Sequence, residues 1–256
     1  MGIGVSGLFF INRFLDLNTY IFKALFPEDC CLCGNLLLSK EGRFICGPCW
    51  DKVNYVTGPV CPCCSKPFVS PDALDYSPAY LCGDCRKNPP SFEKASAVGY
   101  YRGVLKDIIH LFKYQGKRGL GRDLVKLMNQ AYQEKWDGYS FDAIIPVPLH
   151  RKRLREREFD QALILAKGIS KSQGIPLIYG NLFRHRWTES QTNLSKEERW
   201  RNVKGAFSLR NPTRVRDLRL LLIDDVYTTG ATITECAKVL KKAKAKEVNV
   251  FTLARA

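Results

Sequence analysis

Leu220-Leu221-Leu222-Ile223-Asp224-Asp225-Val226-Tyr227-Thr228-Thr229-Gly230-Ala231-Thr232 is the stretch on which the fold turns. Four aliphatics in a row read as a parallel strand buried on both faces. Two carboxylates close its C-terminal end, a hydroxyl-rich turn follows, and Ile233 to Lys244 reads as a helix. A turn of this kind, at a helix N-terminus, offers free backbone N–H groups and hydroxyls to a phosphate, and the helix dipole favours the anion. Asp224 and Asp225 can accept hydrogen bonds from two neighbouring hydroxyls. A sugar with a terminal phosphate and a 2,3-diol satisfies both halves at once. Gly230 fits a turn that needs positive φ or close backbone approach. The plainer alternative is an ordinary strand-to-helix turn with Asp as cap and Thr as helix starter. It explains a single such residue better than the whole string.

Upstream, the pattern alternates strands and helices. Ala95 to Tyr101 reads as a strand. Leu105, Ile108, Ile109 and Phe112 follow helical spacing with one buried face. Gly116 and Gly119 break that helix, and Leu120 to Gln133 forms a second. Ala143 to Pro148 reads as a short buried strand stopped by prolines, and Gln161 to Ser172 as a helix. Between them, His150 to Arg157 reads as a basic loop with five Lys or Arg. A polar segment from Arg184 to Lys204 precedes the Leu220 strand, and Val248 to Leu253 supplies a last strand. This order predicts an α/β fold with a mainly parallel sheet and ligands at the strand C-terminal ends.

The front of the chain has different chemistry. Ten of the eleven cysteines lie between Cys30 and Cys85. They include four C-x-x-C pairs: Cys30/Cys33, Cys46/Cys49, Cys61/Cys64 and Cys82/Cys85. Each pair sets two thiolates on one side of a tight turn, and two pairs complete a tetrahedral Zn²⁺ site. Eight ligands predict two structural zinc sites with no open coordination position. Sequential pairing, first with second and third with fourth, is the expectation; interleaved pairing is the alternative. Disulfides need an oxidising compartment, and no signal peptide is visible. A redox C-x-x-C is normally single. Cys31 and Cys63 are left over, and Cys236 reads as a small core residue. Before the knuckles, Leu8 to Phe26 reads as an amphipathic helix. The expected organisation is 1–28 helix, 29–88 zinc-binding domain and 92–256 α/β domain, with Asn88-Pro89-Pro90-Ser91 as linker.

The 256 residues carry a formal charge of +15, and 45% are hydrophobic. A core of good size is expected. The basic excess is concentrated from Phe141 to Leu222, where 17 Lys and Arg face 8 Asp and Glu. Such a surface suits phosphate in nucleic acid, an anionic membrane or a polyphosphate substrate. No run of about 18 apolar residues exists, so no transmembrane helix is expected, and a cytoplasmic location follows from that and the missing signal. The G-x-G-x-x-G and M-G-x-x-x-S matches at Gly2 to Gly7 are read as accidents, since no strand precedes the first.

The Asp224–Thr232 string resembles the phosphoribosyl-diphosphate (PRPP) signature of the type I phosphoribosyltransferases. The chain also resembles the ComF family of competence-associated phosphoribosyltransferase-like proteins. The resemblance rests on the knuckles, Leu111-Phe112-Lys113-Tyr114, Ile145-Pro146-Val147-Pro148-Leu149, Gln191-Thr192-Asn193-Leu194, Arg201 to Phe207 and the signature itself. It implies that Asp224 and Asp225 hold the ribose hydroxyls. Thr228, Thr229, Gly230, Ala231 and Thr232 cradle the 5′-phosphate. Mg²⁺ accompanies the diphosphate, which leaves through an oxocarbenium-like state. Leu149-His150-Arg151 stands at the diphosphate loop, Lys204 and Arg201 in a mobile basic segment, and Lys113 within reach of the same anion. Asp224, Asp225, Lys204 and Arg151 are thus set against the chemistry. His110, His150 and His185 are bases by residue type only. The implied partners are PRPP, single-stranded DNA, and a competence helicase or other DNA-uptake protein. A non-catalytic single-stranded-DNA-binding accessory on the same scaffold is the alternative. Arg157-Glu158-Phe159-Asp160-Gln161 replaces the family's usual Arg-Gly-Phe-Asn-Gln, and its two extra carboxylates are expected to weaken diphosphate binding.

Overall fold

A computed structural model describes residues 28–37, 44–68, 77, 79–188 and 195–256. The helix expected over Leu8 to Phe26 and the Gln191–Leu194 segment lie outside them. The chain divides into two compact units, Met1–Lys52 and Val53–Ala256.

In the first unit the chain folds back through a bridge between Asp29 and Leu36, and a helical turn, Gly47–Trp50, carries Cys49. The Cys30 amide donates to the Asn35 carbonyl (2.8 Å) and the Gly34 amide to Cys30 (2.9 Å). These bonds close the tight turn that a knuckle requires.

The second unit is built on a four-stranded parallel sheet, ordered β1-β6-β5-β2. Its strands are β1 (Ala95–Tyr100), β2 (Ala143–Pro146), β5 (Arg219–Tyr227) and β6 (Glu247–Arg255). Between β1 and β2 run α1 (Gly103–Tyr114) and α2 (Leu120–Lys135); after β2 come α3 (Arg151–Arg157) and α4 (Gln161–Gln173). A small antiparallel pair, β3 (Leu182–Arg184) and β4 (Phe207–Leu209), flanks α5 (Lys196–Val203). Helix α6 (Ala231–Lys242) joins β5 to β6. Leu220 to Ile223 are fully buried on β5, as parallel strands covered on both faces must be. Leu105, Ile108, Ile109 and Phe112 of α1 are fully buried too, so the helical spacing read from the sequence faces the core. Helix α4 packs on α2, β5 and β2, while α6 packs on β6, α5 and β4. At Gly168 of α4 an added Cβ would lie 2.4 Å from both methyls of Val125, so glycine sets how closely α2 and α4 approach.

Two segments differ from expectation. The basic stretch His150 to Arg157 is not a loop but helix α3. It has no buried residue, and so no apolar period to betray it. The His150 side chain caps its start, accepting from the Lys152 amide (3.2 Å). The polar stretch Arg184 to Lys204 contains α5, started by a capping box in which Ser195 and Glu198 satisfy each other's amides. The second cysteine group belongs to the Val53–Ala256 unit, and Cys61, Cys64, Cys82 and Cys85 share a hydrophobic cluster with Ala95, Val250 and Tyr227.

Candidate functional site

A cleft of about 950 Å³ opens where β2 and β5 end, lined among others by Lys113, Leu149, Asp224, Asp225 and the turn Thr228 to Thr232. Strand β5 carries the two carboxylates to its C-terminal end. The Asp225 amide donates to Asp224 Oδ1 (2.8 Å), fixing that side chain beside the next residue. Gly230 begins α6 at φ +78°, and an added Cβ would stand 2.3 Å from Tyr227 Oη. Glycine is therefore required twice, for its dihedral and for the ring beneath it. The Ala231 amide points back to Thr229 Oγ1 (3.4 Å), and both residues line the cleft. The turn sits at the N-terminus of a twelve-residue helix, with its field directed at the opening.

Two carboxylates line the cleft, and a third, Asp160, lies close enough to feel their charge. Burial, and after it the charge of Asp225, pushes Asp224 up to about 8. Asp224 keeps some surface towards the cleft but is surrounded by protein elsewhere. Asp160 caps α4, accepting from the Leu163 amide (3.0 Å), and burial raises it to about 6. Lys113 Nζ lies 2.7 Å from Asp225 Oδ1, with both side chains mostly buried. Lys113 thus faces the Asp225 carboxylate, where the sequence resemblance had set it toward a departing anion.

The basic wall is not made by the residues expected to make it. Arg151, Arg201 and Lys204 are exposed and do not line the cleft. Val203 is fully buried, and Arg186 holds the Asn202 and Lys204 carbonyls (3.1 and 2.7 Å), so Lys204 ends a packed helix rather than riding a loose segment. The wall consists of Arg153, Arg157, Arg184 and Arg199, with Gln161 beside them. Helical spacing explains the exchange: Arg153 and Arg157 are one turn apart on α3 and share a face, while Arg151 lies off it. Gln161 and Arg184 are buried, and Gln161 Nε2 and Arg184 Nε have no hydrogen-bond partner among the described residues. Burial, and then Arg153, lowers Arg184 to about 10. Buried donors crowded by like charge are matched by an oxyanion. The Arg157–Gln161 string carried a signal for two of these residues. Arg184, in a three-residue strand, carried none. His110 also lines the cleft, whereas His150 caps α3 and His185 is exposed.

The cysteines gather in sequence order. Cys30, Cys33, Cys46 and Cys49 form one group, and Cys61, Cys64, Cys82 and Cys85 the other. In each the four Sγ atoms lie within 4.8 Å of one another. Tetrahedral Zn²⁺ with Zn–S of about 2.3 Å sets neighbouring sulfurs about 3.8 Å apart. The separations of 3.9 Å (Cys30–Cys49), 3.6 Å (Cys33–Cys46) and 3.6 Å (Cys64–Cys82) match that edge. Burial, then its neighbouring thiols, pushes Cys49 up to about 12, a cost that a central dication removes. Both groups fit structural zinc.

Comparisons with known proteins match two parts of the chain. A double zinc ribbon domain matches residues 21–86, and a phosphoribosyl transferase domain matches residues 160–256. Fold and cleft define a phosphoribosyltransferase-type α/β protein carrying paired zinc ribbons. Competence protein F of Haemophilus influenzae is 34% identical over 229 residues, covering 87% of this chain and 94% of that one. DNA utilization protein YhgH of Salmonella typhimurium is 31% identical over 90% of this chain and 97% of its own. Competence protein ComFC of Bacillus subtilis is 29% identical over 86% and 88%. The chain belongs to the ComF family. A solved adenine phosphoribosyltransferase aligns over 56% of this chain and 74% of that one, at 11% identity and a TM-score of 0.37. Among the described residues, no helix is long and apolar enough to cross a membrane.

Proposed function

We propose that the cleft binds PRPP and that the protein binds or transfers a 5-phosphoribosyl group in the handling of DNA taken up during competence. One observation carries the reading: Asp224 and Asp225 end the strand that leads directly into the Thr228–Thr232 turn, and all seven residues line one cleft. The diol donates to the carboxylates and the 5′-phosphate takes the turn's amides and hydroxyls. The diphosphate lies toward Arg153, Arg157 and Arg184, where the unpartnered donors of Gln161 and Arg184 await oxygen. Mg²⁺ carried on the diphosphate suits oxygen donors such as the two aspartates and supplies charge neutralisation when bound. This chain's own residues hold the sugar in place and stabilise the negative charge that develops on the leaving group.

The test is calorimetric titration of PRPP into zinc-loaded protein, with and without Mg²⁺. Magnesium-dependent binding is expected, and Asp224→Lys or Asp225→Lys should abolish it while leaving zinc content unchanged. Unchanged affinity in either variant refutes the site.

A second reading has its own support. Lys152 Nζ and the Arg153 guanidinium stand over the exposed Trp187 ring (4.6 and 5.7 Å), and Arg157 stands over the exposed Tyr114 ring (4.9 Å). Exposed rings among cations along α3 suit stacked bases and phosphates of single-stranded DNA. Under this reading, binding weakens steeply with salt. A competence helicase or other DNA-uptake protein would be the natural partner.

A further inference from the structure

The second cysteine group and the phosphate turn touch the same side chain. Arg255, at the end of β6, is 7% exposed. Its Nε donates to the carbonyl of Cys64 (3.1 Å), within the Cys61–Cys64 knuckle. Its Nη1 donates to the carbonyls of Thr228 (2.8 Å) and Tyr227 (3.3 Å), where the turn begins. The guanidinium also lies over the Tyr227 ring, 4.3 Å from its centre, and that ring supports Gly230 from below. Beside this link the packing is incomplete. A cavity of about 210 Å³ is lined by Cys64, Cys85, Trp200, Thr229 and Arg255. The fork of the guanidinium therefore carries what the missing contacts do not.

We infer that Arg255 is a positioning residue that couples metal occupancy of the Cys61/Cys64/Cys82/Cys85 group to the shape of the Thr228–Thr232 turn, so that loss of zinc there weakens phosphate binding in the cleft. Zinc fixes the knuckle, the knuckle fixes the Cys64 carbonyl, and the guanidinium transmits that position to the Thr228 carbonyl. The knuckle has other anchors. The Ala95 amide donates to the Cys63 carbonyl (2.7 Å) and Ser65 Oγ to the Ala95 carbonyl (2.6 Å). Removing the Arg255 head should thus break the coupling without undocking the zinc site. The phosphate part of the inference rests on the reading of the cleft given above.

The test uses the zinc-loaded full chain, Arg255→Met and Arg255→Lys, each before and after zinc is withdrawn by a chelator. Two quantities are read: hydrogen exchange of the peptide spanning Tyr227–Ile233, and calorimetric affinity for ribose 5-phosphate. In the parent protein, zinc withdrawal should speed exchange in the turn and lower affinity about tenfold, the scale of one charged hydrogen bond. Arg255→Met should show both effects with zinc still bound, and withdrawing zinc should then add nothing at the turn. Arg255→Lys keeps the charge but lacks the fork, and should fall between. Should Arg255→Met fail to fold, Cys82→Ser tests the same link by emptying the second group, with Cys33→Ser as the control that empties the first. Turn exchange indifferent to zinc, or an Arg255→Met protein responding to zinc withdrawal like the parent, overturns the coupling. A turn that loosens as expected in a protein that never bound ribose 5-phosphate upholds the coupling and removes the phosphate reading instead.

Discussion

Gly230→Ala is the sharpest single perturbation of the cleft. Gly230 holds φ +78°, and an alanine there costs about 1 to 2 kcal/mol in the left-handed region. Its Cβ would lie 2.3 Å from Tyr227 Oη and 2.6 Å from Cζ. That ring is 6% exposed, with Arg255 on one side and Phe92 edge-on at 6.2 Å. Forcing it aside costs about 1 to 3 kcal/mol, as overpacking does. The lost freedom of glycine in the unfolded chain returns about 0.4 to 1 kcal/mol. The expected net loss is about 1 to 5 kcal/mol. Urea unfolding of the zinc-loaded protein measures it, reading the transition of the Val53–Ala256 unit. The two components separate in a double-mutant cycle with Tyr227→Leu, which removes the overlapping atoms. The overlap part should vanish in that background and the dihedral part should persist. A loss below about 0.5 kcal/mol, or equal losses in both backgrounds, refutes the argument that ring and dihedral together dictate glycine.

Four further outcomes are expected. Asp224 is raised to about 8 in the free protein by burial and Asp225, whereas a ribose diol needs the ionised carboxylate, so PRPP affinity should climb from pH 6 to about 8 and then level, with proton release on binding. Calorimetry in buffers of different ionisation enthalpy checks this, and a slope surviving unchanged in Asp224→Asn contradicts it. The same raised acid, with Asp160, favours the folded state below the ordinary carboxylate range, a contribution lost as pH rises through about 6 and 8. Glu158 ends α3 at φ +63°, so Glu158→Gly should stabilise the protein by up to about 1 kcal/mol in urea unfolding; a loss of stability speaks against strain there. Ser195→Ala removes the capping box of α5 and should cost about 1 kcal/mol, with faster amide exchange at Glu197 and Glu198; unchanged exchange shows that the cap contributes nothing.

How much of this was legible beforehand depends on the physics of each element. The Leu220–Ile223 run and the α1 spacing declared themselves because burial alone dictates such patterns. The zinc sites did too, since tetrahedral thiolate coordination leaves few ways to place eight cysteines. Sequence spacing alone did not choose the pairing; the sulfur separations do. Helix α3 escaped detection because nothing on it is buried: its caps and charges hold it, and no hydrophobic period exists to read. For the basic wall, composition marked the right region but not which arginines turn inward, because that depends on the phase of α3 and on β3. Ser195-x-x-Glu198 is a helix-start signal, but it stands in a polar stretch with no apolar period behind it. The Glu158 departure acquires a physical meaning in the structure, since the family's glycine stands where the backbone goes left-handed.

The Lys113–Asp225 pair sets a competitor inside the cleft itself. A ligand that takes Asp225 must first win it from an ammonium held at 2.7 Å in a mostly buried place. Apparent affinity is therefore the intrinsic affinity multiplied by the fraction of molecules whose latch is open. Two adjacent hydroxyls can be exchanged for that ammonium; a 2-deoxyribose phosphate brings only one. A cleft that takes the sugar as proposed above would thus favour ribose over deoxyribose.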